Sequence, residues 1–170
     1  MKLDIACGHN KRAGFMGVDK IAHEGVDFVW DLEKFPWTPF KDNSVDEVNI
    51  SHYAEYTKDL LKFMEELYRI CEDGAKVTII APYYTSLGAW QDPTYTRVIS
   101  EATWACFQKT WRDVHKASHY GLKCDFEVTN MIVYFNEPWN QKSEEARRFA
   151  QTHYWNAVSE ILVELKVKKT

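Results

Sequence analysis

No CxxC pair occurs in this sequence, and its four cysteines, Cys7, Cys71, Cys106 and Cys124, are scattered. No Cys/His cluster has zinc-ligand spacing, so no metal site is expected and reduced thiols are the simplest reading. No apolar run approaches the roughly 20 residues that a membrane-spanning helix requires. Basic residues are not in excess: 21 Lys and Arg face 25 Asp and Glu, for a formal charge of −4. That balance speaks against a broad nucleic-acid-binding surface. No internal repeat or low-complexity tract is present. Strand-like residues begin almost at Met1, with no signal peptide before Leu3, and a cytoplasmic location is expected. In contrast to these absences, aromatic residues are plentiful, with nine Tyr, nine Phe and seven Trp. Such side chains fill cores and also wall pockets for flat ligands.

A length of 170 residues suits one domain, expected to have a cofactor-binding half to about residue 83 and a substrate-side half from 84 to 170. Short apolar runs bounded by turn residues predict strands at 2–6, 15–19, 26–30, 45–51 and 76–81, buried on both faces. Leu60, Leu61, Met64, Leu67, Tyr68 and Cys71 recur at helical spacing, which predicts a helix over 57–72. Thr57 would cap it and Gly74 would end it. Strand, helix, strand in that order implies a right-handed parallel crossover. Further on, helices are expected at 100–108 and 143–158, and strands at 125–135 and 161–168. The last alternates Leu and Val with Glu and Lys, as an antiparallel or edge strand does. The fold class is α/β, a doubly wound, mostly parallel Rossmann-like sheet with an antiparallel C-terminal strand.

Leu3-Asp4-Ile5-Ala6-Cys7-Gly8 is a strand running into a turn of small residues, where a ligand can approach the backbone closely. Gly17-Val18-Asp19 puts an acid at the end of the next strand, where it can accept hydrogen bonds from two ribose hydroxyls. Asp31 follows the third strand in the same way.

Taken in order, these segments resemble the class I S-adenosylmethionine-dependent methyltransferases. The first motif is Leu3 to Gly8, and the ribose-binding acidic motif is Gly17-Val18-Asp19. Trp30-Asp31-Leu32-Glu33 and Asn43 to Val48 are similar to the adenine loop and fourth strand. Ser51-His52 and Glu55-Tyr56 stand where many members carry Ser-His and Glu-His pairs. The resemblance covers Met1 to about Tyr83. It implies that Ala6, Cys7 and Gly8 flank the methionine part of the cofactor and that Asp19 holds the ribose. Asp31 and Leu32 would meet the adenine, and Ser51 and His52 would close the methionine side. Asp4 would orient the turn or its ligand. His52 is the candidate catalytic base, and Tyr83, Tyr84, His115 and His119 are candidates from the substrate side. Trp90, Trp104, Phe107, Trp111 and Tyr120 are candidate substrate contacts.

Two departures stand out. The first motif carries less glycine than the family pattern. The links from Cys7 to Phe15 and from Asp19 to Val26 are too short for crossover helices, which need about a dozen residues. The N-terminal helices are therefore expected to be reduced to turns, leaving an apolar face. Either the long segments 83–122 and 136–158 wrap around to cover it, or a second copy does. A homodimer is the expectation. Lys11 and Arg12 read as solvated loop charges.

A nicotinamide-dependent Rossmann enzyme is the nearest rival. It would require GxGxxG opening a long helix to seat a pyrophosphate, and Cys-Gly-His-Asn-Lys is not that. Ala81-Pro82-Tyr83-Tyr84 suggests an adenine-specific DNA methyltransferase, but it follows the fifth strand and lacks the leading polar residue. A non-catalytic binding module on the same fold is the remaining alternative. The expected partner is a small-molecule acceptor, with no membrane association.

Overall fold

The computed structural model describes residues 1–169. Its centre is one seven-stranded sheet of order β3-β2-β1-β4-β5-β7-β6. The strands are β1 (Lys2–Ile5), β2 (Met16–Asp19), β3 (Val26–Val29), β4 (Val45–Ser51), β5 (Cys71–Pro82), β6 (Phe126–Phe135) and β7 (Val158–Val167). All pairings among β1 to β5 are parallel, and β7 runs antiparallel to both β5 and β6. The helices are α1 (Leu60–Ile70), α2 (Lys109–Val114) and α3 (Glu144–His153).

Residues paired across strands share a face, so the register sorts the side chains. One face carries the row Val18, Ile5, Ile50, Ile79, Val163 and Met131. On this side Phe63, Met64, Leu67 and Ile70 of α1 are wholly buried, joined by Trp37 and Phe40 from the β3–β4 connection. Trp104 and Phe107, in a 3-10 turn over Glu101–Phe107, are about 1% exposed and belong to the same core.

The opposite face carries Gly17, Asp4, Asn49, Thr78 and Glu164 in register, with Lys2 beside Glu47. The strands are thus apolar on one side and largely polar on the other, and in the central strands both sides are buried, with Asp4, Asn49 and Thr78 under 10% exposed. Ion pairs Lys2–Glu47 and Lys76–Glu164, each 2.6 Å, lie on this side. Apolar residues on this side include a short row of Ile80, Leu162 and Ile132. A homodimer was expected because an apolar face would be left bare. Most of that face is polar, so the ground for the expectation is gone.

The β1–β2 loop does the work of the missing helix. Asp4 is 3% exposed, and its carboxylate accepts from Arg12 N (2.7 Å) and Asn49 Nδ2 (2.7 Å). The Arg12 guanidinium donates to Asn49 Oδ1 (3.1 Å) and stacks on Phe15. Lys11 pairs with Asp27, which also accepts from Gly17 N (2.7 Å). Lys11 and Arg12 lie outside the cleft, as loop charges that also staple the turn, with Arg12 exposed. Gly17 is required by close approach: a Cβ there would sit 2.7 Å from Cys7 Sγ and 2.9 Å from the Gly25 carbonyl oxygen.

Several boundaries move. The cap of α1 is Asp59, accepting from Lys62 N (3.0 Å), and not Thr57, whose buried hydroxyl has no partner. The helix stops at Ile70 because Cys71 turns extended, and Gly74 takes its left-handed φ of 79° further along the chain. The helix expected to Val158 ends at His153, and the final strand begins at Val158 instead of Ile161. Only Ala150 of α3 is fully buried, so α3 does not cover a sheet face.

Candidate active site

A cleft of about 640 Å³ opens at the carboxyl ends of β1, β2 and β4. That volume falls within the usual range of small-molecule sites, about 300–1,000 Å³. It lies where the strand order reverses, the position at which doubly wound sheets bind ligands. Two residues on its wall hold left-handed backbone without being glycine: Ala6 (φ 56°) after β1 and His52 (φ 55°) after β4. Such conformations are unfavourable outside glycine and concentrate at functional sites. His52 N–H is fixed by the Ile80 carbonyl (2.9 Å).

Asp19 closes β2 on the cleft wall. Its Oδ2 accepts from Gly8 N (2.9 Å) and its Oδ1 from Ile21 N (3.0 Å), which leaves further lone pairs on both oxygens. The same contact ties the turn after β1 to the end of β2. Asp31 is held in a turn by Glu33 N (3.1 Å), and the buried Leu32 forms an apolar wall next to it.

Sequence reasoning missed Lys20, Glu33, Tyr53, Tyr56, Lys58 and Thr94 on this wall. Glu33 accepts from Tyr53 Oη (2.9 Å) and Lys58 N (3.2 Å). Tyr56 Oη donates to Asp92 (2.8 Å), which Thr94 also bonds. Burial and the adjacent carboxylates push both phenols well above their ordinary range, so they stay protonated donors. The one available signal was the concentration of Tyr and acid at Glu33, Tyr53, Tyr56 and Asp92, whose pairing requires the fold.

His52 lies between two carboxylates. Its Nδ1 is 3.4 Å from Glu55 Oε1 and its Nε2 is 3.2 Å from Glu160 Oε1. Glu55, then its own burial in opposition, then Glu160 act on the ring, and the net effect raises its pKa above 6.5.

Of the expected site residues, Ala6, Asp19, Asp31, Leu32 and His52 line the cleft together. Asp4 lies behind it, holding the loop. Cys7 is buried against Gly17, and burial, with Asp4 and Asp19 nearby, raises its thiol pKa. Gly8 meets Asp19 through its N–H. Ser51 is exposed and pairs with Ile80 on the open side of the sheet. None of the five candidate substrate aromatics lines the cleft: Trp104 and Phe107 are core, Trp111 stacks on His115, and Tyr120 lies tilted against His119. Trp90 is exposed. Tyr83 is buried and donates to Glu101 (2.8 Å). Among the described residues no cluster of His, Cys, Asp and Glu could hold a metal, and no helix is long and apolar enough to cross a membrane.

An acid closing β2, strained turns after β1 and β4, and a cleft at the reversal of a 3-2-1-4-5-7-6 sheet define a doubly wound, Rossmann-like fold. Residues 3–79 match the model of a methyltransferase domain family. Over these residues, a little under half of the chain, the protein is similar to a methyltransferase domain. Solved structures agree on the fold. One is a SAM-dependent methyltransferase from Archaeoglobus fulgidus, 20% identical, covering 97% of this chain and 85% of that one, with a TM-score of 0.57. Another is a Haloferax volcanii protein in complex with the Trm112 methyltransferase activator, 17% identical, covering 99% and 82%, TM-score 0.60. A third is the [4+2]-cyclase SpnF, 13% identical, covering 99% and 74%, TM-score 0.60. A search of curated protein sequences finds no match.

Proposed function

We propose that this protein transfers a methyl group from S-adenosylmethionine to a small-molecule acceptor presented beside His52. The observation that carries the reading is the cleft, which brings Ala6, Asp19, Asp31, Leu32 and His52 from four separate loops to one wall. These residues fit the cofactor: Asp19 retains acceptor capacity for two ribose hydroxyls, and Leu32 with Asp31 offers an apolar plane edged by an acid. The left-handed turn at Ala6 brings backbone close to the methionine part, with Cys7 and Gly8 shaping that turn. Asp4 and Ser51 act from behind, through the loop and the strand end.

Bound S-adenosylmethionine supplies an activated methyl group, so the chain's task is mainly alignment. His52 is the group placed to take a proton, at Nε2, from an acceptor N–H or O–H. Calorimetry with S-adenosylhomocysteine tests the reading, with micromolar binding and a raised melting temperature as the expected result. No heat and no thermal shift at millimolar ligand would refute it. Asp19→Ala should weaken that binding by about 1.5–3 kcal/mol, the usual loss for hydrogen bonds to a charged group. The Haloferax relative is bound to an activator; binding at wild-type strength by this chain alone would show that cofactor capture needs none.

A further inference from the structure

Glu55 is 2% exposed, yet neither of its carboxylate oxygens has a hydrogen-bond donor. A buried carboxylate without a partner is too costly to persist by accident. Its backbone is seated firmly. The Glu55 carbonyl accepts from Thr96 N (2.8 Å) and Oγ1 (3.1 Å), and the flanking Ala54 and Thr57 carbonyls accept from Arg97 Nη1. Arg97, the cation on this segment, is thereby committed to carbonyl groups of the 54–58 stretch rather than to the Glu55 carboxylate. The contact that remains is His52, with Nδ1 at 3.4 Å from Oε1, an ion-pair contact that is not a formed hydrogen bond in this state. On the other side of the ring, Nε2 faces Glu160, which is 39% exposed.

We infer that Glu55 is a positioning residue for His52: it holds the proton on Nδ1 and turns the Nε2 lone pair toward the acceptor, in the place where Glu160 now stands. This rests on the proposed methyl transfer. As the acceptor nitrogen or oxygen forms its bond to the methyl carbon, the carbon–sulfur bond breaks and its electron pair stays on sulfur. The proton shed by the acceptor passes to Nε2, and the imidazolium so formed lies between the two carboxylates. Glu160 yields its place to the acceptor and then faces the charged ring.

Nitrogen-15 spectra of the histidine rings, with His52 assigned by its loss in His52→Gln, test the arrangement directly and need no acceptor. His52 should titrate above 6.5, and its neutral form should carry the proton on Nδ1, the less common tautomer in solution. Glu55→Gln should lower that titration and abolish the Nδ1 preference, while Glu55→Asp retains part of both. Glu160→Gln should lower the titration without changing the tautomer. Neutral His52 protonated on Nε2, or a titration unchanged by Glu55→Gln, would overturn the inference. If Glu55→Gln does not fold, the wild-type tautomer and Glu160→Gln decide it. S-adenosylhomocysteine binding, measured on the same samples, reports separately on the proposed function, since its absence would leave the ring geometry standing.

Discussion

The two faces of the sheet meet the same requirement by different physics. One is a continuous apolar layer under α1, with Phe63 wholly buried against Trp37 and Tyr53. The other is covered by little more than the loop of residues 6–15, held by Asp4, Asn49, Arg12 and Lys11. A parallel sheet ordinarily has helices on both sides because its strands are apolar on both. Here the second side alternates to small and polar residues, which the loop and neighbouring side chains bury without a helix. The lesson is that short crossovers and polar alternation are two parts of one solution.

The comparison can be broken first on the apolar side. Phe63→Ala should cost about 3–5 kcal/mol, the transfer energy of the ring together with the cavity it leaves. Urea unfolding measures it, with a fall in midpoint at unchanged slope as the expected result. On the polar side, Asp4→Ala strands the buried Asn49 Nδ2 and the part-buried Arg12 N–H, and should cost about 1–3 kcal/mol. Equal losses from both substitutions would show that the loop staple matters as much as the core.

Gly17→Ala sharpens the point. The new methyl meets Cys7 Sγ and the Gly25 carbonyl, and overpacking of this kind costs about 1–3 kcal/mol. Adding Cys7→Ala should recover only part of the loss, because the Gly25 backbone cannot give way as a side chain can. Lys76→Ala should change stability by less than about 1 kcal/mol, since the Lys76–Glu164 pair is half-exposed.

The smallest effect concerns pH. The folded pKa of His52 is raised by Glu55 and Glu160, so its contribution to stability is complete below the unfolded value near 6.5. It fades as pH rises through the folded value. Melting curves of wild type and His52→Gln should therefore converge with rising pH across that window, and parallel curves would contradict the clamp.

Much of the fold was legible locally. Five strands, the α1 stripe from Leu60 to Leu67 and the antiparallel last strand follow from periods of 2 and 3.6 that a single segment displays. Asp19, Asp31 and Ala6 were legible because each ends a strand in a fixed order along the chain. The cap of α1 was not, since Thr57 and Asp59 are both competent caps, and in the fold the Thr57 carbonyl is taken by Thr96 Oγ1 and Arg97. Trp104 and Phe107 could not be told from pocket aromatics, because burial depends on what folds over them.

By itself, then, the sequence determined the alternation of strands, the acids at their ends and the absence of N-terminal crossover helices, all properties of neighbouring residues. The tertiary structure alone decided that Asp4 meets Asn49, that Lys11 and Arg12 are staples, and that Glu33 meets Tyr53 while Tyr56 meets Asp92. It also decided that His52 stands between Glu55 and Glu160. Glu160 lies more than a hundred residues away in the chain, and only the antiparallel pairing of β7 with β5 sets it opposite Pro82, at the same end of the sheet as His52. Contacts of that range are fixed by sheet register, which no local pattern specifies.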